Sequence, residues 1–170
     1  SPNETLIRKT NGFSGNSYQL SFVGGVLRAT VGVDTSSSGN VFVTYNLNRE
    51  VGRWYHIAMS FDDVSKQLSL FVDGQQVAAT TANLTIGYAN DVDVLIAGPG
   101  TKFNGEIGLV RIWNVARPQA LLQQSMSLEA DSTDPSLVLD LDFNVSEAQT
   151  LRDKSSYQHV AVRSGTGNIY

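Results

Sequence analysis

A chain of 170 residues with 41% hydrophobic and 16% charged side chains is long enough to bury its own core and too apolar for a disordered segment. Its net charge of −4 argues against the basic face of a nucleic-acid binder and against a polybasic membrane anchor. The lack of cysteine removes disulfides, thiolate catalysis and thiolate metal clusters together.

Apolar alternation with period two, the mark of strands with one buried face, runs through almost the whole chain. It begins at Tyr18, Leu20 and Phe22, resumes at Leu27, Ala29 and Val31, and continues through Val41, Val43 and Tyr45. Gly24–Gly25 sits between the first two runs as a hairpin turn. Arg53 to Asp62 reads as a long strand with large groups on both faces, as inside a two-layer sandwich. Leu68, Leu70 and Val72 lead into Asp73–Gly74, a pair suited to the positive φ angles of a two-residue hairpin. Asp91 to Ala97, Glu106 to Trp113 and Leu137 to Phe143 are the later strands. The polar loops are Ser36 to Asn40, Gly98 to Thr101 and Glu129 to Ser136. Pro118 to Ser127 differs: Leu121, Leu122, Ser125 and Met126 recur at helical spacing behind a proline suited to a first turn. The pattern predicts an all-β, two-sheet antiparallel sandwich with one short helix near 118–127, as a single domain over 1–170.

No apolar run approaches the ~20 residues of a bilayer span, so no membrane insertion is expected. The chain begins with neither an initiator Met nor a signal-like apolar segment, as expected of a mature product or of a module from a larger protein.

Four blocks, in order, carry a family resemblance. Gly52 to Ala58 (GRWYHIA) resembles the G-x-W-x-H-[IV]-A strand of laminin-G-like jelly rolls, and Leu68 to Gly74 (LSLFVDG) resembles their L-x-L-[YF]-V-D-G hairpin. Phe103 to Asn114 (FNGEIGLVRIWN) is similar to their F-x-G-x-I-D-x-V-R-I-W-N strand. Leu137 to Asp142 followed by Asp153 to Ser156 resembles their L-x-L-x-x-D-F…D-x-S segment. The chain thus resembles the concanavalin A-like lectin/glucanase superfamily in its laminin-G and pentraxin branch. The resemblance implies two curved antiparallel sheets stacked as a jelly roll, with ligand on the concave sheet or the rim loops and calcium as a common cofactor. It also places Trp54 and Trp113 in the core. The last block comes near the N-terminus in many members. Its position here implies that the C-terminal end supplies the closing strand, or that the sequence is cut between tandem modules. Gly108 stands where many members have Asp, which weakens any calcium site built on that carboxylate.

Glucanases of the superfamily carry two or three acids alternating on one strand face, one acting as nucleophile and one as general acid. Asp91 and Asp93 share a face, but no third acid follows in step, and Glu106 has no partner. Gly-x-Ser-x-Gly does not occur. His56 and His159 are far apart in sequence; His56 is expected to be a packed structural residue and His159 to be exposed. No enzyme activity is expected.

Two ligand readings remain. Calcium needs several hard oxygens. Asp140 and Asp142 alternate on one strand, and Asp153 can be brought near them by the intervening loop, so these three are the candidate calcium ligands; solvated turn acids are the alternative. Sugars are held by aromatic rings on their apolar faces and by amides and carboxylates on their hydroxyls. Tyr45 with Asn46, Tyr88 with Asn90, and Tyr157 are the candidate glycan-binding residues, against the alternative that Tyr is an ordinary strand and rim residue. The expected function is a non-catalytic carbohydrate-binding, lectin-like module for targeting or adhesion, extracellular or at the cell surface. Its expected partners are a glycan or glycoconjugate and other domains of a parent protein. A protein-interaction or spacer module of an adhesin or toxin is the alternative.

Overall fold

The computed structural model describes residues 3–10, 16–32, 39–87, 92–98, 102–143 and 151–162. Its backbone divides into two units, Ser1–Asn104 with Pro118–Met126, and Gly105–Arg117 with Ser127–Tyr170.

The first unit holds two sheets. Strands β1 (Glu4–Thr10), β2 (Asn16–Val23), β3 (Val26–Val31), β4 (Val41–Tyr45) and β8 (Val94–Ile96) form a five-stranded sheet in the order β4-β3-β2-β1-β8. Strands β5 (Ile57–Asp62), β6 (Gln67–Val72) and β7 (Gln75–Thr81) form a three-stranded sheet in sequence order. All described pairings within these sheets are antiparallel. Alternation sends Leu20, Phe22, Leu27, Ala29 and Val31 from one sheet, and Leu68, Leu70 and Val72 from the other, into one core. This is the β-sandwich that the sequence pattern predicts, and it is consistent with the jelly roll that the resemblance implies.

Strand β1 is absent from the sequence reading for a physical reason. A register shift between Thr5 and Ile7 breaks its period of two, and Leu6 and Ile7 both pack against the core. Three predicted strands are shorter than expected. The strand expected from Arg53 starts only at Ile57. Before it, side chains hold the backbone: Asp73 accepts from His56 N at 3.0 Å and from Arg53 Nη2 at 2.9 Å, and Tyr55 Oη accepts from Glu50 N at 2.9 Å. Trp54 therefore lies outside the ladder and is 62% exposed, which corrects its assignment to the core. The strand expected over 91–97 is reduced to β8, and that over 106–113 to β9 (Leu109–Trp113).

Both residues of the β6–β7 turn have positive φ, +49° at Asp73 and +71° at Gly74, as expected of a two-residue hairpin. Helix α1 (Gln119–Ser125), capped by Pro118 and Met126, packs on this turn, and Gln123 Nε2 donates to Gly74 O at 3.1 Å. A Cβ on Gly74 would lie 2.7 Å from Gln123 Cγ and 3.1 Å from Met126 Cε. Gly74→Ala is therefore expected to lower stability by about 1–2 kcal/mol through backbone strain and displacement of the helix, measured by urea unfolding.

In the second unit, β9 pairs antiparallel with β10 (Leu137–Asp142), and Leu137, Leu139 and Leu141 are buried. The segment expected as a loop at 129–136 has no regular structure and is braced by two turns, in which Asp131 accepts from Thr133 N and Asp134 from Ser136 N. Trp113 is half-buried, with the Arg117 guanidinium 3.7 Å from its ring centroid. Among the described residues no helix is long and apolar enough to cross a membrane.

Candidate functional site

The three acids proposed for calcium do lie near one another in the second unit, but each already has partners. Asp140 is 3% exposed and accepts from Arg111 Nε at 3.1 Å. Asp142 accepts from Lys154 Nζ at 3.0 Å, and this contact raises the Lys154 pKa. Asp153 Oδ1 accepts from Asp140 N and Ser155 N, both at 2.9 Å, and Oδ2 from Ser155 Oγ at 2.8 Å and His159 N at 2.9 Å. An ionised carboxylate offers about four lone-pair sites; four donors take those of Asp153. As placed, these side chains do not fit a calcium ligand set. Among the described residues no group of three or more His, Asp or Glu side chains is arranged to hold a metal ion.

What the cluster does instead is join β10 to residues 153–159. Burial works to raise the Asp153 pKa, but the N–H groups of Asp140, Ser155 and His159 and the Ser155 hydroxyl hold it below its ordinary value of 3.8. In the first unit Glu4 behaves alike. Arg49 pairs with it through both guanidinium ends, at 3.0 and 3.1 Å, and outweighs burial to hold it below 4.5. A folded-state pKa depressed below the unfolded value contributes stability at higher pH and loses it as pH falls through the folded value. Urea unfolding is therefore expected to show nearly constant stability from pH 7 to about 5 and a progressive loss below about 4. Glu4→Gln is expected to make that loss shallower.

Of the candidate glycan residues, Tyr45, Asn46 and Tyr157 are among the described residues. Tyr45 ends β4 and is 36% exposed, but the register Tyr45–Leu27–Phe22 places it on the core side of the sheet, at its rim. Asn46 follows it and is exposed. Tyr88 and Asn90 lie outside the described residues. Tyr157 belongs to the other unit, is half exposed, and donates its hydroxyl to Pro135 O at 3.3 Å. His159 is exposed as expected, with Nδ1 3.3 Å from Asp153 Oδ2. His56 is half-buried, its backbone bonded to Asp73 in both directions.

A different surface groups an aromatic ring with polar side chains: the face of the five-stranded sheet turned away from the core. One row across it runs Phe42, Thr30, Gln19, Arg8 and Leu95. The next runs Thr44, Arg28, Ser21 and Thr5. Phe42 is 50% exposed on the edge strand β4, and the Arg28 guanidinium lies 4.2 Å from its ring centroid. Thr30 and Ser21 are buried at the floor of this face, at 7% and 2% exposure. An aromatic ring beside hydroxyls, an amide and guanidinium groups can take the apolar face of a pyranose and bond its hydroxyls. No acid stands in either row. A glycosidase needs two carboxylates roughly 5–9.5 Å apart. Of the acids weighed for such a role, Asp93 and Glu106 are exposed in irregular segments and Asp91 lies outside the described residues.

Phe42, Arg28 and Ser21 are absent from the sequence-based candidates, although alternation signals their side of the sheet. Val41 and Val43 face the core, so Phe42 and Thr44 must face outward, and Arg28 lies likewise between core-facing Leu27 and Ala29.

Comparison with known proteins adds the following. The family described as the Concanavalin A-like lectin/glucanases superfamily matches residues 2–123. No curated protein matches. The chain is similar to a crystal structure described as a "putative carbohydrate binding protein" from Bacteroides ovatus ATCC 8483, at 26% identity and a TM-score of 0.68. That match covers 90% of this chain and 45% of the other, so the chain spans under half of that protein's length. It also matches an S-layer domain-containing protein (residues 221–444) from Clostridium thermocellum ATCC 27405, at 13% identity and a TM-score of 0.39, over 74% of this chain and 64% of that one.

Proposed function

Because the chain belongs to the concanavalin A-like lectin/glucanase superfamily, we propose that it is a non-catalytic carbohydrate-binding module with its site on the outward face of the five-stranded sheet. One observation carries the reading: an aromatic ring, Phe42, stands half exposed on an edge strand beside a floor of hydroxyl and amide side chains. The likeness to a structure described as a carbohydrate binding protein supports it. The absence of acids from both rows is the reason for a binding rather than a hydrolytic role. The ring takes the sugar's apolar face, and Thr44 and Gln19 bond its hydroxyls. Such a polar surface at the sheet edge gives modest affinity per contact, and the module serves to target or attach a larger protein outside the cell.

The test is a glycan array with the wild type and Phe42→Ala. The expected result is binding to a defined glycan class that Phe42→Ala weakens at least about tenfold, or about 1.4 kcal/mol. Absence of any glycan binding would overturn the reading and favour a protein-interaction module. The surface for that reading is the segment where Trp54 is 62% exposed and Val51 is fully so.

A further inference from the structure

We propose that the sugar held on this face is acidic, carrying a carboxylate or sulfate group that pairs with Arg28. The inference rests on the carbohydrate-binding reading and specifies its ligand.

Arg28 stands on β3 in register with Ser21 on β2. Its guanidinium stacks on the Phe42 ring, and among the described residues no Asp or Glu pairs with it. Its Nε is buried and lacks a hydrogen-bond partner, and so is and does the hydroxyl of its neighbour Ser21, a residue 2% exposed. Buried polar groups are normally satisfied, and each that is not costs free energy. Two unsatisfied groups on paired residues, one a cation's donor and the other able to donate or accept, mark the place of a missing acceptor. Charge points the same way. The protein carries a net charge of −4, yet Arg28 stands on this face with no acid in either of its two rows. A planar guanidinium matches a carboxylate or sulfate oxygen pair better than it matches single hydroxyls. The Phe42 stack holds that guanidinium in place, so little side-chain freedom is lost on binding. A pyranose with its apolar face on Phe42 would then direct its acidic group toward Arg28 and Ser21.

The test uses paired probes: oligogalacturonate against its methyl ester, and a sulfated galactan against its desulfated form. Binding of the wild type, Arg28→Gln and Arg28→Lys is measured by titration calorimetry at 50 and 500 mM NaCl. The expected result is a preference of at least tenfold for one acidic probe over its neutral partner, with the preferred pair distinguishing carboxylate from sulfate. Arg28→Gln should abolish this preference, and Arg28→Lys should restore part of it. High salt should weaken the wild type more than Arg28→Gln. Equal binding of acidic and neutral probes, or an acid preference unaffected by Arg28→Gln, would overturn the proposal but leave the carbohydrate reading intact. Absence of binding to every glycan would overturn both. Retention of the wild-type melting temperature by Arg28→Gln separates loss of the site from loss of the fold.

Discussion

Asp153→Ala is expected to destabilise the protein by about 3–5 kcal/mol, and by the same amount in calcium and in chelator. The carboxylate is fully buried, with four donors on its two oxygens, three of them backbone N–H groups. Alanine leaves the three N–H groups without an acceptor, while the Ser155 hydroxyl can turn to Val138 O at 3.1 Å. Asn can keep the two bonds at Oδ1, but its amide nitrogen then faces His159 N–H, donor against donor, so Asp153→Asn should recover only part of the loss. Urea unfolding of the wild type and both variants, with and without calcium, checks this. A loss seen only in calcium would make Asp153 a metal ligand and overturn the structural role.

Leu70→Ala is the second large effect, at about 2–5 kcal/mol. Leu70 is fully buried in the middle strand of the three-stranded sheet, paired to Met59 on one side and Ala78 on the other. Truncation removes apolar contact and leaves a cavity that ladders on both sides keep from collapsing. Calorimetric unfolding measures it. A loss below about 1 kcal/mol would show that Leu70 lies outside the tight core.

These two residues also show how far the sequence could be read. Leu70 belongs to a run whose alternation survives intact, so its burial follows from periodicity alone. The Asp73–Gly74 turn and the helix after Pro118 were legible for similar local reasons. Trp54 was not: its segment is tied by Asp73, about twenty residues away, at the His56 N–H and the Arg53 guanidinium, a contact that local periodicity does not carry. Strand β1 was hidden by its own register shift. Asp140, Asp142 and Asp153 were correctly seen as neighbours, but composition could not show that Arg111, Lys154 and backbone N–H groups hold them. At the proposed glycan surface, residue type alone points to Tyr and Asn. The informative signal was the side of the strand. Tyr45 and Phe42 are three residues apart on β4 and so stand on opposite faces, and Phe42 is on the open one.

Backbone amide mapping by NMR, with the tightest array glycan titrated into the isotope-labelled protein, tests the central claim most directly. The largest shift changes are expected on Phe42, Thr44, Arg28, Thr30 and Ser21, and Phe42→Ala is expected to remove them. Changes centred instead on Tyr157 and His159, or around Trp54, would contradict that claim and move the site off the five-stranded sheet.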